Sequence, residues 1–224
     1  MKVVLRIGGS VIASPPNSVL ISKYVDLLKG LKAEGHEFVV VVGGGSIARD
    51  FIELARKVGL SEQNQDDLAI LVSRLFAQLL AMRLGEFGTE FVPTSVPQVI
   101  QLLNEKKIIV MGGLRPGMTT DAVAAMVAEK VDADLLIKAT DQEGIYTKNP
   151  DKHTDAEKID QLSLDDIWDL LEEDKHKAGI HQILDPEAVR LLQRSKTKTI
   201  VVNGFKPDNI PLAIKGKRIG TLIE

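Results

Sequence analysis

The stretch that decides the fold is Phe38-Val39-Val40-Val41-Val42-Gly43-Gly44-Gly45-Ser46-Ile47-Ala48-Arg49-Asp50. An unbroken apolar, β-branched run predicts a strand covered on both faces, and the glycines that end it predict a tight turn into a helix. The same order recurs at Val3 to Ile7 followed by Gly8-Gly9-Ser10, and at Ile108 to Met111 followed by Gly112-Gly113. Glycine lets backbone N–H groups approach an anion closely, and a helix starting at once adds unpaired N–H groups and a positive dipole end. Three such turns on one sheet suggest phosphate cradles and a phosphoryl-transfer enzyme.

Two further buried runs, Leu135 to Ala139 and Thr199 to Val202, alternate with helical patterns. Helices are expected around Val19 to Ala33, Ile47 to Val58, Asp67 to Leu84, Pro97 to Glu105, Asp121 to Val131, Leu164 to Glu172 and Pro186 to Arg194. The βαβα order implies an α/β fold, a mainly parallel sheet with helices on both sides. Ser163 with Asp166 reads as a capping box, and Asp185 as a cap before Pro186. Ile214 to Ile223, with Gly216 and Gly220, is expected to form an edge hairpin. The 224 residues suffice for one large domain or two joined lobes, with a possible division near Ala133 to Leu135.

Composition narrows the function classes. A net charge of -3 without a long Lys or Arg block gives nucleic acid or a membrane surface no electrostatic support. Aromatic residues are 4% of the chain, too few for base-stacking platforms. With no cysteine, a disulfide scaffold, a thiolate zinc site and a cysteine nucleophile are excluded. No apolar run reaches the roughly 20 residues of a membrane span, and a cytoplasmic location is expected. His36, His153, His176 and His181 lack metal-ligand spacing and read as surface histidines; no metal ligands are expected. Trp168 and its neighbouring leucines read as one helical face.

Ligands of open parallel sheets bind beyond the strands' C-terminal ends. After Val42, Gly43 to Asp50 offers a turn, a helix start and the cation Arg49, suited to a phosphate or carboxylate. It is neither a Walker A loop nor a dinucleotide fingerprint. In Gly112-Gly113-Leu114-Arg115-Pro116-Gly117-Met118-Thr119-Thr120-Asp121, either Thr120 or Asp121 caps the next helix, or Thr119 and Thr120 donate to a phosphate with Arg115 as a movable cation. Asp141 either positions cations or Mg²⁺ or caps; Tyr146 is placed to pack beside a nucleoside. Asp66 and Asp67 are expected to open a long helix, or to accept hydrogen bonds from ribose hydroxyls.

Taken together, Ile7-Gly8-Gly9-Ser10, Val41-Val42-Gly43-Gly44-Gly45, Pro116-Gly117-x-Thr119-Thr120-Asp121-Ala122-Val123-Ala124-Ala125 and Ala139-Thr140-x-x-x-Gly144-Ile145-Tyr146-Thr147 resemble the amino acid kinase superfamily, and within it the archaeal UMP kinases. The resemblance implies a three-layer α/β/α sandwich around a central, mostly parallel sheet. It implies one domain over 1–224, with an acceptor lobe about 1–132 and a nucleotide lobe about 133–224. It further implies that Gly9, Ser10, Gly45 and Arg49 face the ATP phosphates, and that Thr140, Asp141, Tyr146 and Asn149 line the nucleoside side. Gly44, Asp66 and the segment Leu114, Arg115, Pro116, Gly117, Met118, Thr119 and Thr120 would hold UMP. Arg6, Arg49 and Asp141 are the implied catalytic residues, ATP and Mg²⁺ the implied cofactors, and a homo-oligomer, commonly a hexamer, the implied assembly.

Arg6 stands where many relatives of that kind carry lysine, keeping the charge but changing its shape. Asp141, Glu143 and Asn149 depart from the expected Asn, Asp and Asp, and Phe76 from an expected Asn. The implied reaction is ATP + UMP giving ADP + UDP, in pyrimidine nucleotide biosynthesis. The alternatives are a kinase of another small acid or phosphate, such as acetylglutamate or isopentenyl phosphate, or a non-catalytic nucleotide- or oxyanion-binding relative.

Overall fold

The computed structural model describes residues 1–173 and 184–224, with side chains 169–173 also outside the description. The expectations for His176, His181 and the leucines beside Trp168 lie outside the described residues. In chain order the elements are β1 (Lys2–Ile7), α1 (Gly9–Ile12), α2 (Ser18–Ala33), β2 (Glu37–Val42), α3 (Gly45–Lys57), α4 (Glu62–Leu84), α5 (Val96–Leu102), β3 (Ile109–Met111), α6 (Thr120–Val131), β4 (Leu135–Thr140), β5 (Ile145–Tyr146), β6 (Lys158–Ile159), β7 (Gln161–Leu162), α7 (Leu164–Glu173), α8 (Pro186–Ser195), β8 (Thr199–Asn203), α9 (Asn209–Ile214) and β9 (Thr221–Ile223).

Seven strands form one sheet in the order β3-β2-β1-β4-β8-β9-β7, parallel except where β9 runs against β8. The small β5–β6 hairpin stands apart from it. Because side chains alternate along a strand, the buried runs supply two cores at once. Val3, Leu5, Ile7, Val40 and Val42 pack with α2, α4 and α9 on one face. Val4, Val39, Val41, Leu136 and Val201 pack with α5, α6 and α8 on the other. Helix, sheet, helix: the expected three layers are present.

The expected strands and helices are found, with instructive shifts. The long helix α4 begins at Glu62 with Ser61 accepting from the Asn64 N–H, so Asp66 and Asp67 lie in its second turn and do not open it. Thr119, not Thr120 or Asp121, caps α6 by accepting from the Ala122 N–H at 3.1 Å. The Ser163–Asp166 box closes reciprocally at 2.8 and 3.0 Å. The expected C-terminal hairpin is instead helix α9, a turn and a single strand β9. That strand lies inside the sheet, because β7 takes the edge beside it.

Among the described residues, α4 alone is long and apolar enough by composition to cross a membrane. One of its sides, with Phe76, Ala77, Leu80 and Leu84, is buried against the sheet. Its hydropathy therefore combines this core face with the exposed side chains Leu71, Leu75, Leu79 and Met82.

Candidate active site

β1 and β4 are neighbours whose chains leave in opposite directions, β1 toward β2 and β4 toward β8. That topological switch point is where an open α/β sheet leaves a crevice. Arg6 on β1 and Lys138 on β4 are register partners there, on the face covered by α6. Between them stands Asp121 from the first turn of α6. Lys138 Nζ lies 2.6 Å from Asp121 Oδ2, and Arg6 Nε lies 2.9 Å from Asp121 Oδ1.

The second contact is an ion pair without hydrogen-bond alignment, so Arg6 Nε and Asp121 Oδ1 are buried with no hydrogen-bond partner. Arg6 Nη2 instead donates to Thr120 Oγ1 at 3.1 Å. Burial would raise the Asp121 carboxyl, but the Arg6 and Lys138 charges outweigh it and hold the group below the usual carboxylate range. Burial pushes the Lys138 ammonium below the usual lysine range, with Asp121 opposing. A buried cation stays charged only beside such a partner.

The glycine turns converge on this cluster. Gly9 and Gly45 meet backbone to backbone: a Cβ on Gly9 would sit 2.1 Å from Gly45 N. A Cβ on Gly8 would sit 3.0 Å from Arg6 Nη1 and 3.2 Å from Ser10 Oγ, which places Ser10 and the guanidinium together beside the first turn. Gly45 adopts φ +61°, and Ser14 Oγ accepts the Ser46 N–H. Arg49 follows one turn into α3, exposed.

The third glycine pair does something else. A Cβ on Gly112 would sit 2.6 Å from Arg74 N and Ser73 Oγ on α4, and the Gly113 N–H donates to Ser73 Oγ at 2.8 Å. Gly112-Gly113 is thus a close strand-to-helix contact, with Gly113 also on the wall of the neighbouring cavity. Arg74 reinforces it by donating to the Gly113 and Leu114 carbonyls at 3.0 and 3.1 Å.

Beside the cluster opens a cavity of about 390 Å³, lined by Gly44, Asp66, Arg115, Gly117, Met118, Thr119 and Thr120 together with Ala48, Ala69, Ile70, Ser73 and Gly113. Most of the residues expected on the acceptor side therefore share one concavity; Leu114 and Pro116 belong to its loop but not to its lining. Asp66 Oδ2 accepts the Gly117 N–H at 2.7 Å and so fixes that loop to α4. Thr119, also on the cavity wall, donates its proton to Asp185 Oδ2. Thr120 accepts from Arg6 and keeps its own proton for a ligand. Arg115 lies 3.5 Å from Glu187 at the exposed rim.

The residues expected on the nucleoside side follow β4. Thr140 ends the strand and donates to Asp141 Oδ1 at 3.1 Å, leaving Asp141 exposed. Tyr146 lies half-buried on β5, while Asn149 accepts the Asp151 N–H at 2.9 Å and thereby shapes its own turn. Glu143 is held by Lys206 and by Asn203 Nδ2, hydrogen bonds that lower its carboxyl.

Lys138 is the residue the sequence reading passed over. It sits inside the apolar run Leu135-Leu136-Ile137-Lys138-Ala139-Thr140. A lysine among side chains covered on both faces is itself the signal, since such a charge must be paired or used.

The arrangement has counterparts. The amino acid kinase family model matches residues 1–203. The chain belongs to the amino acid kinase family. Uridylate kinase of Methanocaldococcus jannaschii is 41% identical over 226 residues, spanning 100% of both chains. Uridylate kinase of Methanobrevibacter smithii is 37% identical, covering 100% of this chain and 99% of its own. The crystal structure of uridylate kinase from Archaeoglobus fulgidus superposes with a TM-score of 0.89 at 38% identity and full coverage of both chains. UMP kinase from Bacillus anthracis, at 20% identity and a TM-score of 0.83, shares the fold. The family's mostly parallel sheet and flanking helices are those described above.

Proposed function

We propose that this chain is a UMP kinase, transferring the γ-phosphoryl group of ATP to UMP to give UDP and ADP in pyrimidine nucleotide biosynthesis. The observation that carries the reading is the roughly 390 Å³ cavity whose lining residue Thr120 touches the Arg6–Asp121–Lys138 cluster. The full-length likeness to archaeal proteins named uridylate kinase supports the acceptor.

The attacking atom in such a reaction is a phosphate oxygen, already anionic because the second pKa of a phosphate monoester is about 6. No general base is required. The protein has to align donor and acceptor and neutralise crowded negative charge. Arg6 and Lys138 supply two fixed cations where strands β1 and β4 end, and Asp121 keeps both oriented without acting as a base. The unaligned Arg6 Nε is a donor that a phosphate oxygen would satisfy. Arg49, one turn into α3 from Gly45, would add a further cation to the transferring group.

Under this reading Gly9, Ser10, Gly45 and Arg49 face the ATP phosphates, and Thr140, Asp141, Tyr146 and Asn149 the ATP nucleoside. Gly44, Asp66 and the loop from Leu114 to Thr120 hold UMP. The acceptor lobe is then about 1–132 and the nucleotide lobe about 133–224. Among the described residues no three Asp, Glu or His side chains converge as metal ligands. Mg²⁺ enters as part of the MgATP substrate, where it neutralises phosphate charge, with Asp141 the exposed carboxylate at the strand end. A homo-oligomer is supported by the apolar side chains Phe51 and Leu54 on α3, Val58 just after it, and Leu71, Leu75 and Met82 on α4, all exposed.

An ADP-release assay with UMP, CMP, acetylglutamate and isopentenyl phosphate tests the reading. UMP-dependent release supports it. Release that requires a different acceptor replaces it with another small-acid or phosphate kinase, and ATP binding without turnover replaces it with a binding protein.

A further inference from the structure

We propose that Asp185 is a positioning residue for phosphoryl transfer, fixing the N-terminus of α6 and, through it, Thr120 and Asp121 at the cluster. The inference rests on the UMP kinase reading and adds to it a residue on a helix outside the cavity.

Asp185 has two distinct jobs, one for each carboxylate oxygen. Oδ1 caps α8, accepting from the Glu187 and Ala188 N–H groups at 2.9 and 3.0 Å. A cap requires nothing more. Oδ2 accepts the hydroxyl proton of Thr119, a hydrogen bond to a charged acceptor. The same Thr119 oxygen accepts the Ala122 N–H and caps α6. One hydrogen-bonded chain therefore joins the starts of two helices: Ala122 to Thr119 to Asp185, and Asp185 to Glu187 and Ala188.

The residues next along α6 are the ones that hold the cations. Thr120 accepts from Arg6, and Asp121 pairs with both Arg6 and Lys138. A small rotation of the first turn of α6 would move the Thr120 hydroxyl and the Asp121 carboxylate together. At its other end α6 is tied to α8 independently, by Arg194 Nη2 donating to Glu129 Oε2 at 2.7 Å, and the two helices share the core of Val123, Val127, Ala188 and Leu192. Loss of the Asp185–Thr119 link would loosen the end that faces the site while leaving the helix pair docked. Asp185 reaches the cluster by two routes, the hydrogen bond through Thr119 and the direct attraction of its charge for Lys138. The second alone would move the pH limb of Lys138 without lowering kcat where Lys138 is fully protonated.

The two jobs can be separated by substitution. In Asp185→Asn the amide oxygen still caps α8, but the amide nitrogen that replaces Oδ2 cannot accept the Thr119 proton. In Asp185→Ser the hydroxyl again caps α8, and the short side chain has no second oxygen for Thr119. Steady-state kinetics with ATP and UMP are measured on the full chain and both variants, well below their melting temperatures. The expected result is a fall in kcat of about tenfold or more in both, with KM for ATP within about twofold and melting close to that of the unmodified chain.

A kcat that returns to the unmodified value in Asp185→Ser or Asp185→Asn reduces Asp185 to a helix cap and overturns the inference. If Asp185→Asn does not fold, Asp185→Ser decides alone by the same readout. An unmodified chain that forms no UDP overturns the UMP kinase reading, and this inference with it; an active unmodified chain with fully active variants overturns this inference alone.

Discussion

Arg6 and Lys138 face each other as register partners on adjacent parallel strands and share one carboxylate. Two like charges on neighbouring strand positions would repel, and burial would make each costly to keep charged. Asp121, delivered from α6, is what makes the pair tolerable. The two cations are thereby oriented before any ligand arrives, so little reorganisation is needed when negative charge builds up between donor and acceptor.

The pH dependence of kcat follows from that pairing. With its ammonium held below the usual lysine range, Lys138 loses its proton as pH rises through a value lower than the ordinary lysine value of about 10.4. The rate should fall along the same limb. Lys138→Arg, which does not titrate in that range, should be slower than the unmodified chain but lack the limb. A limb of unchanged position in Lys138→Arg assigns it to another group. For stability the sign at Asp121 is opposite. Its depressed carboxyl contributes above the unfolded value of about 3.9, and that contribution is lost as pH falls through the folded value.

Arg49→Ala should lower kcat/KM by roughly two to three orders of magnitude, the scale of removing one stabilising donor from a transition state. The side chain is exposed, so melting should be unchanged. Near-normal turnover removes Arg49 from the mechanism.

Asp66→Ala should raise KM for UMP by roughly tenfold, because the Gly117 N–H loses a charged acceptor and the loop its tie to α4. Asp66→Asn keeps an acceptor oxygen. If the carboxylate acts by holding the loop, Asn restores most of the affinity; if it binds UMP through its charge, Asn does not.

Two glycine substitutions should move stability in opposite directions. Gly9→Ala places a Cβ 2.1 Å from Gly45 N, a backbone contact with no flexible neighbour to yield, and should cost at least about 3 kcal/mol. Gly30→Ala, exposed inside α2 with nothing within 4 Å of the new Cβ, should stabilise by about 0.5–1 kcal/mol. Chemical denaturation of both variants checks the pair.

The major strands were legible because each is a buried run bounded by glycine or by a helix signal, and the three-layer fold follows from their alternation with helices. The two-residue strands β5, β6 and β7 are too short to carry a period, and β9 reads in the sequence only as part of an expected edge hairpin. Gly112-Gly113 looked like Gly8-Gly9 because glycine marks close backbone approach whatever approaches, be it a ligand or, here, Ser73 and Arg74 of α4. The acceptor loop was legible as a cluster of hydroxyls and a cation, yet which hydroxyl keeps a free proton depends on Asp185, 66 residues from Thr119. Long-range pairing of that kind leaves no local trace. Lys138 did leave one, a single charge inside a buried run.

The most direct measurement is the ³¹P spectrum of ATP and UMP incubated with the purified chain and Mg²⁺. The account predicts that UMP and the ATP γ-phosphate signals fall while UDP and ADP appear in equal amounts, and that Lys138→Ala abolishes the exchange. Loss of ATP without UDP, or UDP formation undiminished in Lys138→Ala, would contradict it.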